Sequence, residues 1–322
     1  MEIGYASRMT CPYVTNDIRS VLVSPASTRG GDSFSGLAWS PKPTGLMWIA
    51  RGHHLNTVQA DTLSNLGYHG NTSNNLLQDN EVQRLQLTTR RGLQSFNFVA
   101  SLEGSSRNGG FMDPVIRFWH ASVVPYRDTS LGVPQDGLHR VTLRRGDQIT
   151  EVGPSGWRLN RLETGVYYRK QKSVMLGTVI KFPLSGSRGL MDRGSTDVAF
   201  VGSVGTRVFG WDAVWEGQSV TSSRSGDNQD IVLHKNWFNQ TFSFVNVFAR
   251  GWAAIVQYDD LDSGITLGLP YSEDKRRQMT FGVRRQHNNT ILDLLVTENV
   301  RPFRTTPYVV DVGFTLALRR YH

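Results

Sequence analysis

Several clusters in this chain have residue types that chemistry would need. Asp113, Arg117 and His120 stand three or four residues apart, so a short helix would bring a carboxylate, a guanidinium and an imidazole to one face. That face suits a ligand or metal site on a loop; the alternative is a packed loop helix with Asp113 as its cap and His120 hydrogen-bonded. Asp259, Asp260 and Asp262 offer the carboxylate oxygens that calcium takes, or else form a solvated acidic loop. His53, His54 and His69 lack the His-x-His or His-x3-His spacing that lets imidazoles converge on a transition metal. The run Tyr68-His69-Gly70-Asn71-Thr72-Ser73-Asn74 holds the residue types of a barrel-wall lipid hydrolase, yet an Asn/Ser/Gly cluster reads more simply as a loop. The single cysteine, Cys11, can build neither an internal disulfide nor a Cys-based zinc site. Gly30-Gly31 is not followed by a helical pattern, so no phosphate cradle is expected, and no cofactor.

Whatever these residues do, strands must position them. No apolar run approaches the ~18 residues of a spanning helix, and period-two alternation dominates instead. Phe96, Phe98, Ala100 and Leu102 share one face, as do Val174, Leu176, Thr178, Ile180, Phe182 and Leu184, and Val310, Val312, Phe314, Leu316 and Leu318. Each set fits a strand with one apolar and one mixed or polar face. Twelve such segments are expected: 46–55, 80–90, 93–103, 157–169, 173–184, 195–205, 207–216, 240–249, 251–258, 277–286, 290–298 and 309–321.

The connections alternate in length. Tight ones fall at Arg91-Gly92, Lys170-Gln171-Lys172, Thr206, Arg250-Gly251 and His287-Asn288-Asn289, and long ones cover 56–79, 104–156, 185–194, 217–239, 259–276 and 299–308. Short turns at one end and long loops at the other, with an even strand number, are the pattern of an all-β transmembrane antiparallel barrel of about 12 strands with short periplasmic turns, long outer loops and one short loop helix. A soluble β-sandwich binding domain is the alternative, since it too alternates but buries its apolar face. Aromatic girdles separate the two, and Trp48, Tyr168, Trp211, Trp215, Trp237, Trp252, Tyr258 and Tyr321 fall near strand ends or on outward registers. Residues 1–45, with Pro12, Pro25, Gly30-Gly31, Pro41 and Pro43, do not alternate and read as an extended or plug-like segment preceding a barrel of 46–322. Met1-Glu2-Ile3-Gly4 has neither a basic nor an apolar signal region, so the export signal of an outer-membrane protein is expected outside this numbering.

The inward registers carry charge of both signs. Arg84, Arg90, Arg161, Lys181, Arg284 and Arg319 are expected to face the interior, and so are Glu103, Glu163, Asp197, Asp212, Asp293 and Asp311. A ~12-stranded barrel has a narrow interior. Charges confined there pair, because an unpaired one pays several kcal/mol in desolvation; a polar pathway for a small solute is the other reading. The net charge of +8 is scattered, without a basic helix or nucleic-acid motif.

Two stretches carry a family resemblance. Asp79-Asn80-Glu81 leads through Arg91-Gly92-Leu93 to Gly109-Gly110-Phe111-Met112-Asp113, Phe118-Trp119-His120 and Pro125-Tyr126-Arg127. Gln257-Tyr258-Asp259-Asp260-Leu261-Asp262 leads through Leu267-Gly268-Leu269 and Thr297-Glu298-Asn299 to Thr306-Pro307 and Asp311-Val312-Gly313-Phe314. Over roughly 45–321 the chain resembles the DUF3187 family of Gram-negative outer-membrane barrel proteins, whose function is unknown. The resemblance implies an outer-membrane location and a barrel fold, without an activity. One departure is the ending Arg319-Arg320-Tyr321-His322, where Tyr321 is out of phase with the apolar register of Phe314, Leu316 and Leu318. The expected function is therefore a narrow channel or a structural or interaction barrel. Its expected partners are outer-membrane lipid and lipopolysaccharide, the barrel-assembly machinery and a further envelope protein, with no nucleic acid. A lipid-modifying barrel enzyme is the third class.

Overall fold

Alternation along every long strand closes the chain into one antiparallel barrel. The computed structural model describes residues 16–26, 39–110, 112, 114–115, 118, 139–185, 194–228, 231–262, 264–266, 269, 275–299 and 309–322. A short helix, α1 (Asn16–Leu22), comes first. Then follow β1 (His54–Gly70), β2 (Asn74–Gly92), β3 (Phe96–Asn108), β4 (Arg140–Arg145), β5 (Gln148–Val152), β6 (Ser155–Gln171), β7 (Val174–Pro183), β8 (Asp197–Val208) and β9 (Trp211–Ser222). The rest are β10 (Gly226–Asn228), β11 (Ile231–Leu233), β12 (Asn236–Ala249), β13 (Trp252–Asp262), β14 (Ile265–Thr266), β15 (Lys275–His287), β16 (Thr290–Asn299) and β17 (Val309–Tyr321). Twelve of these strands form the wall, each paired with its sequence neighbour, and β17 returns to β1 from Leu55↔Tyr321 to Gly67↔Val309. Closure leaves the ladder without a free edge. The hairpin of β4 and β5 extends the wall above β3 by pairing with Asn74–Asp79 of β2, and β10, β11 and β14 form a separate small sheet.

One face of each wall strand meets the lumen, and on most of them the other is apolar. Along β12, Trp237, Asn239, Thr241, Ser243 and Val245 are buried inside, while Phe238, Phe242, Phe244 and Phe248 are exposed outside. Phe96, Phe98, Leu176, Phe182, Leu316 and Leu318, expected to face outward, are between 39% and 51% exposed, Ile180 and Phe314 of the same registers are half-buried, and Phe281 on β15 is 42% exposed. A continuous band of this size on a closed barrel suits hydrocarbon and not water. The wall is thus of the transmembrane type. The two-residue turns at 172–173, 209–210, 250–251 and 288–289 lie at the end where the chain finishes, and the long connections lie at the other.

The beginning of the wall differs from expectation. Residues 46–50 form no strand, and the expected loop 56–79 is instead β1, the turn 71–73 and the start of β2. The apolar run Leu46–Ile49 belongs to a segment inside the barrel, so its apolarity reflects burial on an interior cluster and not a lipid face. Asn71 makes the turn, its Oδ1 accepting the amides of Ser73 and Asn74 at 3.0 and 2.8 Å. Three expected girdle aromatics also move inside. Trp48 lies on the inner segment, Trp237 is 4% exposed in the lumen, and Tyr321 is 7% exposed beside Val21, Ile49 and Ile291. Tyr321 is out of phase with the outer register because it packs inward.

Phe182 lies at the long-loop end of β7, one residue before its last, so it does not probe mid-wall depth. Phe281 does, four residues above Arg285 on an outward register. Phe281→Arg should cost about 2–4 kcal/mol, as cations do at a bilayer midplane. Urea titration of refolding into lipid vesicles checks this, and an unchanged midpoint would mean that this face does not meet hydrocarbon.

Candidate functional site

The lumen is occupied by the chain's own N-terminal portion. The strand registers alone decide which wall residues reach it. Arg84, Arg90, Glu103, Glu163, Lys181, Asp197, Arg284, Asp293 and Arg319 are all buried on inward registers, with Arg161 partly buried beside them. Asp212 sits on the inward register of β9 near the short-turn rim, across the ladder from Arg207. Arg84 stands across the ladder from Asp61. The side chain of Asp311, and Asp113, Arg117 and His120, lie outside the described residues.

Three clusters of charge pair across the wall. Arg161 bridges Glu103 and Glu163 at 2.8 Å each. Lys181 meets Asp197 at 2.5 Å. Asp293 accepts from Arg284 Nε at 2.6 Å through one oxygen, and from Arg284 Nη2 at 3.0 Å and Arg319 Nη2 at 2.6 Å through the other. The planar fork of Arg fits this bidentate contact. All three side chains of that last cluster are 1% exposed or less.

The remaining donors and acceptors hold main chain. Arg284 Nη1 donates to the carbonyls of Val21, Leu22 and Ser24 at 3.0, 2.8 and 2.8 Å, capping the C-terminal end of α1. A guanidinium there satisfies carbonyls that the helix leaves open and complements its dipole. Further along, Glu216 accepts the amides of Thr44 and Gly45 at 3.0 and 2.7 Å. Asn97 pairs with Ile49 as a strand would, its Oδ1 accepting the amide at 2.8 Å and its Nδ2 donating to the carbonyl at 2.9 Å. Arg90 donates to the carbonyl of Met47 at 2.7 Å and lies 4.9 Å from the centre of the Tyr167 ring. Trp237 donates to the carbonyl of Trp39 at 3.0 Å, and Trp39 donates to Glu163 at 2.7 Å. Lys42 reaches Asp61 at 3.2 Å. Residues 39–50 thus cross the interior with main-chain polar groups bound by β3, β9 and β12 and by the wall residue Arg90, and with the Trp39 side chain bound by β6.

Apolar contact fills the space between these bonds. Trp39, Leu46 and Trp48 pack on Tyr167, Met175, Val179, Ala199, Val201, Val220 and Trp237. Val21 packs on Met47, Ile49, Leu55, Ile291 and Tyr321, and Leu22 on Val245, Ala253, Ile255 and Leu295. Backbone approach is close where the segment leaves the lumen: a side chain at Gly92 would collide with the carbonyl oxygen of Ala50. A small space stays open between Pro41–Thr44 and the wall at Thr57, Gln59, Gln86, Ser101 and Tyr167.

Sequence reasoning missed Asp61, Glu216 and Lys42. Asp61 fell in the supposed loop, whereas it is buried and accepts from Gln59 and Thr315 at 2.7 Å each. Glu216 shares the inward register of Asp212, so the strand parity already pointed to it. The three acidic residues weighed for calcium do not converge, because they lie on β13. Asp259 faces the lumen and takes hydrogen bonds from Thr241 and Gln257, while Asp260 and Asp262 are on the opposite face. The loop expected there is strand, and period two separates the carboxylates.

Arg284→Ala should cost about 3–5 kcal/mol, since it leaves a buried carboxylate with one partner fewer and uncaps α1. The same variant should expose residues 16–50 to protease under conditions where the wall stays intact. A digestion pattern identical to that of the unmodified protein would remove Arg284 from the anchoring role.

No protein-family model and no curated protein matches the chain. Among solved structures it is similar to an outer membrane channel from Pseudomonas putida F1, with a TM-score of 0.50 and 11% identity over 85% of this chain and 97% of that one. It is also similar to the Ralstonia pickettii toluene transporter TbuX, with a TM-score of 0.43 and 13% identity over 91% and 99%. At such identities the likeness to the first is one of fold.

Proposed function

We propose that this chain is an integral barrel of the bacterial outer membrane, a narrow channel whose lumen is closed in this conformation by its own N-terminal segment. The observation that carries the reading is the set of inward carboxylates, arginines and amides that bind the main chain of residues 21–25 and 39–49. A purely structural barrel needs its charges paired with one another; here they also hold the main chain of a segment that is not part of the wall. The outward apolar band supports the membrane part of the reading. The short turns then face the periplasm, lipopolysaccharide and phospholipid surround the wall, and the barrel-assembly machinery inserts it. The motif resemblance to the DUF3187 family belongs to the same reading.

The test is conductance. In planar bilayers the unmodified protein should show little or no steady current, because wall charges and segment together fill the interior. A chain lacking residues 1–50 should show a steady open level, provided that it migrates as a folded barrel when unboiled. Wide, steady, strongly anion-selective current through the unmodified protein would mean that the basic residues form an open selectivity lining, and would overturn the proposal.

A further inference from the structure

The outward registers end in a regular way at the short-turn rim. Six wall strands run toward that rim: β2, β6, β8, β12, β15 and β17. On β2, β15 and β17 the outward face finishes in a cation by unbroken alternation, and on β6 and β12 an exposed cation stands at or just past a bulge at the end of the strand. Leu85 and Leu87 are followed by Arg91, Val166 and Tyr168 by Lys170, Phe244 and Phe248 by Arg250, Phe281 and Val283 by Arg285, and Leu316 and Leu318 by Arg320. Only β8 ends in an apolar residue, Val208. All five cations are exposed.

Carboxylates are missing from the same level. Residues 86–97, 165–178, 246–256 and 315–322 contain no Asp or Glu. Two carboxylates stand near this rim in the neighbouring strands, and both are on inward registers: Asp212, and Asp293 buried under Arg284 and Arg319. The outward cations therefore have no acidic neighbour at their own level on the wall. Aromatic rings sit immediately above them. The guanidinium of Arg285 lies 4.7 Å from the centre of the Trp252 ring, and the rings of Phe96 and Tyr168, two residues above Lys170, are 5.5 Å apart.

Aromatic rings at the edge of an apolar band mark the headgroup level of a bilayer, and long cationic side chains reach outward from it. We infer that this rim binds anionic phospholipid headgroups in the leaflet at the short-turn end. The lipid phosphate meets Arg91, Lys170, Arg250, Arg285 and Arg320, while its acyl chains lie along the apolar register above each of them. A lipid fits this geometry better than an acidic protein, because Arg91, Arg285 and Arg320 continue a lipid-facing register and Lys170 and Arg250 stand exposed beside it at the bulged ends of β6 and β12. The inference rests on the membrane reading.

The probe is phosphatidylglycerol against phosphatidylcholine, with the full chain folded in mild detergent and retained lipid counted by native mass spectrometry. The unmodified protein should retain the anionic lipid at least about tenfold better, a preference that fades at high salt. R91Q/K170Q/R250Q/R285Q/R320Q should lose that preference, and the matching variant with lysine at each arginine should keep it. R140Q/R144Q/R158Q at the long-loop end should leave it unchanged. The heat-dependent gel shift of each variant reports that the barrel is folded. Insertion of the unmodified protein into phosphatidylcholine vesicles tests the membrane reading separately, since it needs no anionic lipid. Equal retention of the two lipids, or equal loss in the long-loop variant, would overturn the inference. So would binding of polyglutamate to the rim without any lipid preference, which would assign it to an acidic protein.

Discussion

The Asp293 carboxylate, shared by Arg284 and Arg319, ties the architecture together. It sits on β16 between the strands that carry its two partners, and none of the three side chains meets solvent appreciably. A carboxylate taken out of water is costly unless its lone pairs are filled. Here they are, and the spare donors of Arg284 pass to the C-terminal end of α1. One ionic cluster thereby joins three wall strands to a segment more than 250 residues away in sequence. Without it α1 would end in open carbonyls inside a confined space, and Val21 and Leu22 would lose the orientation that buries them in two separate clusters.

The same logic recurs elsewhere in the barrel with different chemistry. Glu216 and Asn97 bind amides of residues 44, 45 and 49 where a neighbouring strand would otherwise do so. The inner segment is too polar in its main chain to enter an apolar core and too apolar in its side chains to stay in water. A lumen lined by amides, carboxylates and a few large aromatics accepts both halves. Since buried polar groups must be paired, segment and wall specify one another. The segment settles inside the barrel because the wall presents the matching donors and acceptors.

Much of the wall was legible from sequence, and the reason is geometric. Period two assigns faces without any knowledge of partners, so Phe96, Phe281 and Leu316 read as outward and Arg284, Asp293 and Lys181 as inward. The first strand was not legible, because the outward face of β1 carries Asn56, Ala60 and Thr62 alongside Val58, and its inward face carries Gln59 and Asp61. Its polarity resembles a loop. The segment 46–50 misled in the opposite sense, since Leu46, Met47, Trp48 and Ile49 are apolar for packing inside the barrel. Nor could alternation show that Arg284 and Arg90 bind main chain as well as, or in place of, acidic side chains. That depends on contacts between residues far apart in sequence, which no local pattern records.

Hydrogen exchange of the inner segment tests the central claim most directly. In the folded, membrane-embedded protein the backbone amides of residues 44–49 should exchange as slowly as those of the wall strands, although they belong to no strand or helix, because Glu216 and Asn97 hold Gly45 and Ile49 in a closed interior. Glu216→Gln together with Asn97→Leu should speed that exchange by orders of magnitude while the wall stays protected. Rapid exchange of residues 44–49 in the unmodified protein, with the wall intact, would show that the segment does not reside in the lumen and would contradict the account.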